Sequence, residues 1–177
     1  FQFLHAKLIV VDPREIGLAK KADIHLKLRP GTNVAFANGM VNVLIRKGLV
    51  DREFVESRTE GFDELAAMVA DYTPERVAEI CGIDARDLEA AAERAPIVYC
   101  LGVVEHSTGT EGVMALSNLA LAAGKLGRPG CGINPLRGQN NVQGACDMGA
   151  GPADFTGYQK VANPEMRAKF EAAWGVE

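Results

Sequence analysis

Lys7 to Asn33, KLIVVDPREIGLAKKADIHLKLRPGTN, is the stretch whose reading decides the fold. Lys7 to Val11, KLIVV, is a short β-branched apolar run, the pattern of a strand buried on both faces. Asp12-Pro13-Arg14 ends it, because proline has no N–H to give to a ladder. Glu15 to Ala22 then reads as a short helix and His25 to Leu28 as a second strand. A strand, a helix and a strand in so short a span point to a parallel crossover, with its loops at the strands' carboxyl ends.

The pattern continues outward. Thr32 is placed to cap a helix running to about Lys47, ended by Gly48, with Val34, Met40, Val41 and Leu44 on one face. Helical segments follow at Asp51 to Ser57, Phe62 to Tyr72 and Pro74 to Ile80, where Thr73-Pro74 is a cap and first-position pair. Another opens at Asp84 or Ala85 and runs to about Arg94, with Leu88 as its apolar anchor. Ile97 to Leu101, IVYCL, is a second buried-strand signal, and Gly109 to Leu126 is the clearest helix, with Val113, Leu116, Leu119 and Ala120 at helical spacing. Alternating strands and helices predict an α/β protein, a three-layer αβα domain with a mainly parallel sheet. From Cys131 the composition turns to Gly, Asn, Gln and Pro, with no expected element until a helix over Pro164 to Trp174. The expected division is therefore a domain over 1–133 and a loop-rich segment of a neighbouring domain over 134–177.

The chain has 177 residues, 47% hydrophobic and 24% charged, with a net charge of −4. That balance gives no reason to expect nucleic acid or an anionic membrane as partner, and no run approaches a membrane span. The opening FQFLHAKLIVVDPRE has no initiator Met and no signal-peptide layout, so the sequence reads as an internal fragment. The four cysteines, Cys81, Cys100, Cys131 and Cys146, form no C-x-x-C pair and have no His at zinc-finger spacing. No metal site is expected from them. Cys81 and Cys100 sit in apolar contexts that predict buried thiols.

Three turns after strands carry possible chemistry. Asp12 and Arg14 either bind a nucleotide's hydroxyls or base edge and its phosphate, or merely cap a turn. Arg29-Pro30-Gly31-Thr32-Asn33 opens a helix, whose N-terminal N–H groups favour anions, though an ordinary cap has the same look. Gly102-Val103-Val104-Glu105-His106 follows the second strand signal, and His106 is a base, a donor or a bystander. The most polar stretch is Asn134 to Gly149, NPLRGQNNVQGACDMG. Its one cation, Arg137, suits bidentate grip of a small carboxylate, and Gln139, Asn140, Asn141 and Gln143 supply donors and acceptors.

That run resembles the catalytic (alpha) subunits of molybdenum- or tungsten-dependent formate dehydrogenases, in the molybdopterin oxidoreductase superfamily. The likeness extends to VVDPREIGLAKKADIHLKLRPGTNVAFANGM (10–40), VESRTEGFDEL (55–65), YTPE (72–75) and KFEAAWGVE (169–177). The resemblance implies a metal held by two molybdopterin guanine dinucleotides, with a four-iron four-sulfur cluster bound by the part upstream. It implies guanine-nucleotide contacts from Val11, Asp12, Pro13, Arg14, Leu28, Gly31 and Asn33. Leu101, Gly102 and Glu105 would approach the pterin or its phosphates. Arg137 would orient formate and Gln139 would lie near the metal, in two-electron oxidation of formate to carbon dioxide or its reverse. Electron-transfer subunits and the remaining parts of the same subunit are the implied partners, in the cytoplasm.

Two points depart from the family pattern. Glu105 stands where the family commonly has Gln, and a carboxylate facing phosphates is repelled. The metal's protein ligand and the cluster cysteines lie upstream in relatives, so this piece alone is expected to be inactive. The alternatives are a nitrate- or arsenate-type reductase on the same scaffold, or a cofactor-free structural homologue.

Overall fold

The computed structural model describes residues 7–92 and 97–176 and places β1 (Ile9–Val11) parallel to β2 (Ile24–Leu26), with Val10 opposite His25. The Asp12 N–H extends the ladder by bonding to the Leu26 carbonyl at 3.2 Å. The expected helix between these strands is absent: only Ala19–Lys21 closes a 3-10 turn. Eight residues interrupted by Gly17 cannot offset the cost of nucleating an α-helix.

Five helices follow in close succession: α1 (Asn33–Arg46), α2 (Arg52–Arg58), α3 (Phe62–Val69), α4 (Pro74–Cys81) and α5 (Ala85–Ala92). Side-chain capping explains the starts of α2 and α4. The Asp51 carboxylate accepts from Phe54 N–H at α2, and the Thr73 hydroxyl accepts from Arg76 N–H ahead of Pro74 at α4. Gly82, at φ 75°, ends α4 in the left-handed conformation that glycine adopts without a Cβ penalty. The expected end of α5 near Arg94 lies outside the described residues.

After β3 (Ile97–Tyr99) come the single turn α6 (Leu101–Val104), α7 (Gly109–Ala122) and β4 (Ile133–Pro135). β4 pairs in parallel with β3, Ile97 opposite Ile133 and Tyr99 opposite Pro135. The fold is α/β with short parallel sheets, the class that the alternation predicts. Among the described residues the strands form two separate parallel pairs. α7 stops at Ala122 because Gly124, at φ 59°, turns the chain and Lys125 N–H reaches back to Ala120.

α1 is the central element because two apolar clusters share it. Phe36 joins Leu26, Leu28, Val77, Cys81, Leu88 and Ala91, while Val41 and Leu44 join Val50, Val55, Val69, Leu119 and Ala122. Gly39 lets α4 approach, since a Cβ there would sit 2.8 Å from a Val77 methyl. The buried Asn42 donates to the carbonyls of Val69 at 3.0 Å and Ala70 at 3.2 Å, satisfying the end of α3.

The described chain divides into two compact units, the second beginning at Arg137. That second unit holds α8 (Val142–Asp147), the hairpin β5 (Asp154–Phe155) with β6 (Gln159–Lys160), and α9 (Pro164–Trp174). The stretch from Cys131 to Asn163 is thus not free of regular structure. Stacked and edge-on contacts join Phe155, Phe170 and Trp174, with ring centroids 4.4 to 5.6 Å apart.

Candidate functional site

The turn after β1 is organised from within. Asp12 Oδ1 accepts from Arg14 N–H at 2.7 Å, an Asx turn, and Arg14 Nε lies 3.6 Å away. This ion pair is exposed and worth little by itself. Asp12 Oδ2 has no partner among the described residues, which leaves a carboxylate oxygen to accept from a ligand. His25, not singled out by sequence reasoning, supports the turn: its Nε2 lies 2.9 Å from the Asp12 carbonyl and must carry the proton there. The register opposite Val10 is the signal that would have found it.

The second turn separates two roles. Arg29 serves the fold, donating from Nη1 to the Glu79 carbonyl at 2.7 Å, while Leu28 is buried in the first cluster. Thr32 does not cap α1; its hydroxyl donates back to the Arg29 carbonyl at 2.7 Å. The N–H groups of Asn33, Val34 and Ala35 therefore have no acceptor among the described residues. A fourteen-residue helix with a bare N-terminus attracts anions.

The second and third turns come together. Asn33 Nδ2 donates to the Gly102 carbonyl at 3.1 Å, across 69 residues of sequence. His106 Nε2 lies 3.0 Å from the same carbonyl, so its imidazole supports the turn. Gly31, at φ 87°, and Gly102 both face open space where a side chain would otherwise stand. Val11, Pro13, Leu101 and Glu105 are exposed, and the Glu105 carboxylate has no partner among the described residues. Cys100, expected to be buried, is exposed and donates to the Leu136 carbonyl at 3.0 Å; β3, which it follows, pairs only with β4 among the described residues. Cys81 is buried as expected, and burial raises its thiol pKa.

In the second unit the polar stretch sorts into two groups. Asn141, at φ 53°, caps α8 by accepting from Gly144 N–H at 3.2 Å. Gln143 donates from Nε2 to Tyr158 Oη at 2.8 Å and to Asp147 Oδ1 at 3.1 Å, and Tyr158 donates its hydroxyl to Asp147 Oδ1 at 2.6 Å. The Tyr158 hydroxyl, and then Gln143, hold the Asp147 carboxyl below its ordinary range, while Asp147 holds the Tyr158 phenol above its own. Arg137, Gln139 and Asn140 are exposed and their side chains have no partner among the described residues. Four polar residues that looked equivalent are thus two ligand candidates and two structural ones.

Whether these residues suit an anionic dinucleotide can be tested on the first unit. Two glycines with open faces, three free helix N–H groups, a free Asp12 carboxylate oxygen and one exposed guanidinium give these turns more donors than acceptors, the Glu105 carboxylate apart. Phosphates want the donors, and a purine edge bearing N–H groups wants the acceptor. Glu105 is the one discordant charge. Among the described residues no cluster of three or more His, Cys, Asp or Glu side chains is placed to hold a metal ion, and no helix is long and apolar enough to cross a membrane.

Known proteins resemble this chain in sequence and fold. The sequence model of the molybdopterin oxidoreductase family matches residues 1–176. The chain is 54% identical over 162 residues to the F420-dependent formate dehydrogenase subunit alpha of Methanocaldococcus jannaschii, covering 88% of this chain and 24% of that protein. It is 49% identical over 178 residues to formate dehydrogenase H of Escherichia coli, covering 97% of this chain and 25% of that protein. The chain thus spans about a quarter of the length of the curated relatives it matches. The structure of acetylene hydratase from Pelobacter acetylenicus superposes with a TM-score of 0.67 at 37% identity, over 70% of this chain and 18% of that one. With the family model matching nearly the whole chain and curated relatives about half identical to it, this chain belongs to the molybdopterin oxidoreductase family.

Proposed function

We propose that the chain is part of a formate dehydrogenase catalytic subunit that oxidises formate to carbon dioxide, or runs the reverse. The observation that carries this reading is the unpartnered Arg137, set in a polar stretch of a chain about half identical to formate dehydrogenases. The first unit would belong to the guanine-dinucleotide domain and the second would open its neighbour.

Val11, Asp12, Pro13, Arg14, Leu28, Gly31 and Asn33 would hold one guanine nucleotide of the cofactor. Asp12 Oδ2 would accept from the base edge, and the α1 N–H groups would meet a phosphate. Leu101, Gly102 and Glu105 would lie along the pterin or its phosphates. The molybdenum or tungsten bis(molybdopterin guanine dinucleotide) supplies the two-electron acceptor when bound. Arg137 would take the formate carboxylate in its fork and hold its charge, while the Gln139 amide offers a donor and an acceptor beside it. Oxidation of formate releases carbon dioxide, one proton and two electrons, and the electrons would leave through a four-iron four-sulfur cluster held elsewhere in the subunit and on to electron-transfer subunits. Four unpaired cysteines suit a cytoplasmic setting.

Steady-state formate oxidation by the full-length subunit carrying Arg137→Ala tests the central role. Loss of a charge-assisted bidentate contact should lower kcat/KM by about 100- to 1000-fold. Molybdenum and tungsten content should stay unchanged by elemental analysis. Turnover equal to wild type would refute the role.

A further inference from the structure

Tyr158 stands where its backbone should not want it. It is the last of three residues between Phe155 and Gln159, which face each other across the hairpin, and its φ is 60°. Three-residue hairpin loops place a left-handed residue at this position, and glycine or asparagine fills it at least cost. A bulky aromatic there is strained, and such strain persists only where the surroundings hold it. Half of Tyr158 is exposed, so apolar burial does not hold it. Its hydroxyl does, in the three-way contact with Gln143 and Asp147.

Those partners lie one turn apart on α8, the helix whose cap, Asn141, directly follows Arg137, Gly138, Gln139 and Asn140. The same face of the hairpin is fixed twice more: Gly157 N–H donates to the Asp147 carbonyl at 2.8 Å, and the Thr156 hydroxyl to that of Met148 at 3.0 Å. A helix of six residues with no buried side chain cannot hold its own direction. We infer that Tyr158 is a positioning residue: its hydroxyl clamps α8 to the β5–β6 turn and thereby sets the direction from which Arg137 and Gln139 leave the helix start. The inference rests on the proposed role of Arg137 for its catalytic consequence, but the clamp itself does not.

The full-length subunit carrying Tyr158→Phe, Asp147→Asn and both together tests it. Phenylalanine keeps the ring and removes the one group that bonds to α8. Hydrogen exchange of the α8 amides should quicken about tenfold in each single variant and no further in the double one. For formate, KM should rise about tenfold with kcat changed less than threefold, and Phe-to-Tyr reversion at 158 should restore both. Unchanged α8 exchange in Tyr158→Phe overturns the clamp, whatever the activity does. Faster exchange with wild-type formate kinetics, while Arg137→Ala is inactive, overturns the positioning role. If Arg137→Ala is itself fully active, the formate reading fails, and the exchange data alone decide for or against the clamp.

Discussion

The two units are held by different forces. In the first, side chains such as Leu26, Val41, Val69, Val77 and Leu88 are at most 1% exposed, and two apolar clusters meet at α1. In the second, no residue from Arg137 to Val176 is buried; an aromatic trio and the bonds around α8 hold it. Burial is non-directional and tolerant, whereas hydrogen bonds fix direction and fail one at a time. The rim proposed to hold a nucleotide therefore stands on a packed scaffold, and the arginine proposed to meet substrate stands on a unit whose shape depends on a few polar contacts.

The contrast can be broken most directly at Leu88. Leu88→Ala should destabilise the first unit by about 2–5 kcal/mol, since a fully buried side chain leaves a cavity; denaturant unfolding of the full-length protein reads it. A loss under about 1 kcal/mol would mean that the clusters are not what holds this unit. Phe170→Ala comes next. Two aromatic contacts vanish from a partly exposed site, so α9 should loosen by about 2 kcal/mol in hydrogen exchange, with α1 unaffected. The smallest effect is a titration. Asp147 has its carboxyl pKa lowered on folding, so its contribution is present above the ordinary carboxylate value and is lost as pH falls through the lower folded one. Tyr158 has its pKa raised, so its contribution is complete below the ordinary phenol value and is lost as pH rises through the folded one. NMR shifts of the α8 amides should therefore move as pH falls below the ordinary carboxylate range and again as it rises above the ordinary phenol range, and stay flat between. Movement near neutrality would contradict the clamp.

How far these features could be read from sequence follows the same division. Thr73-Pro74 and the β-branched runs announced the start of α4 and the strands, because each acts through its own neighbours. Thr32 looked like a cap and is not one, since its hydroxyl found the Arg29 carbonyl first. α8 was hidden: Asn141 caps it from a left-handed backbone, and Gly144 and Cys146 give it no apolar stripe. β4 was hidden by Asn134 and Pro135, whose polarity and missing N–H argue against a strand unless a partner such as β3 supplies the other half. Asp12, Gly31, Asn33 and Gly102 were legible as turn residues. That Asn33 reaches Gly102 was not, because periodicity holds no information about partners 69 residues away.

That single bond has a consequence for folding. Closing a loop of 69 residues costs about 4 kcal/mol in chain entropy, several times what one amide–carbonyl hydrogen bond returns. The Asn33–Gly102 contact is thus carried by the docking of α1 on α7 through Val41, Leu44 and Leu119. During synthesis the two turns exist long before the rim does. A ligand that bridged the two turns would meet its surface only after the ribosome had released α7.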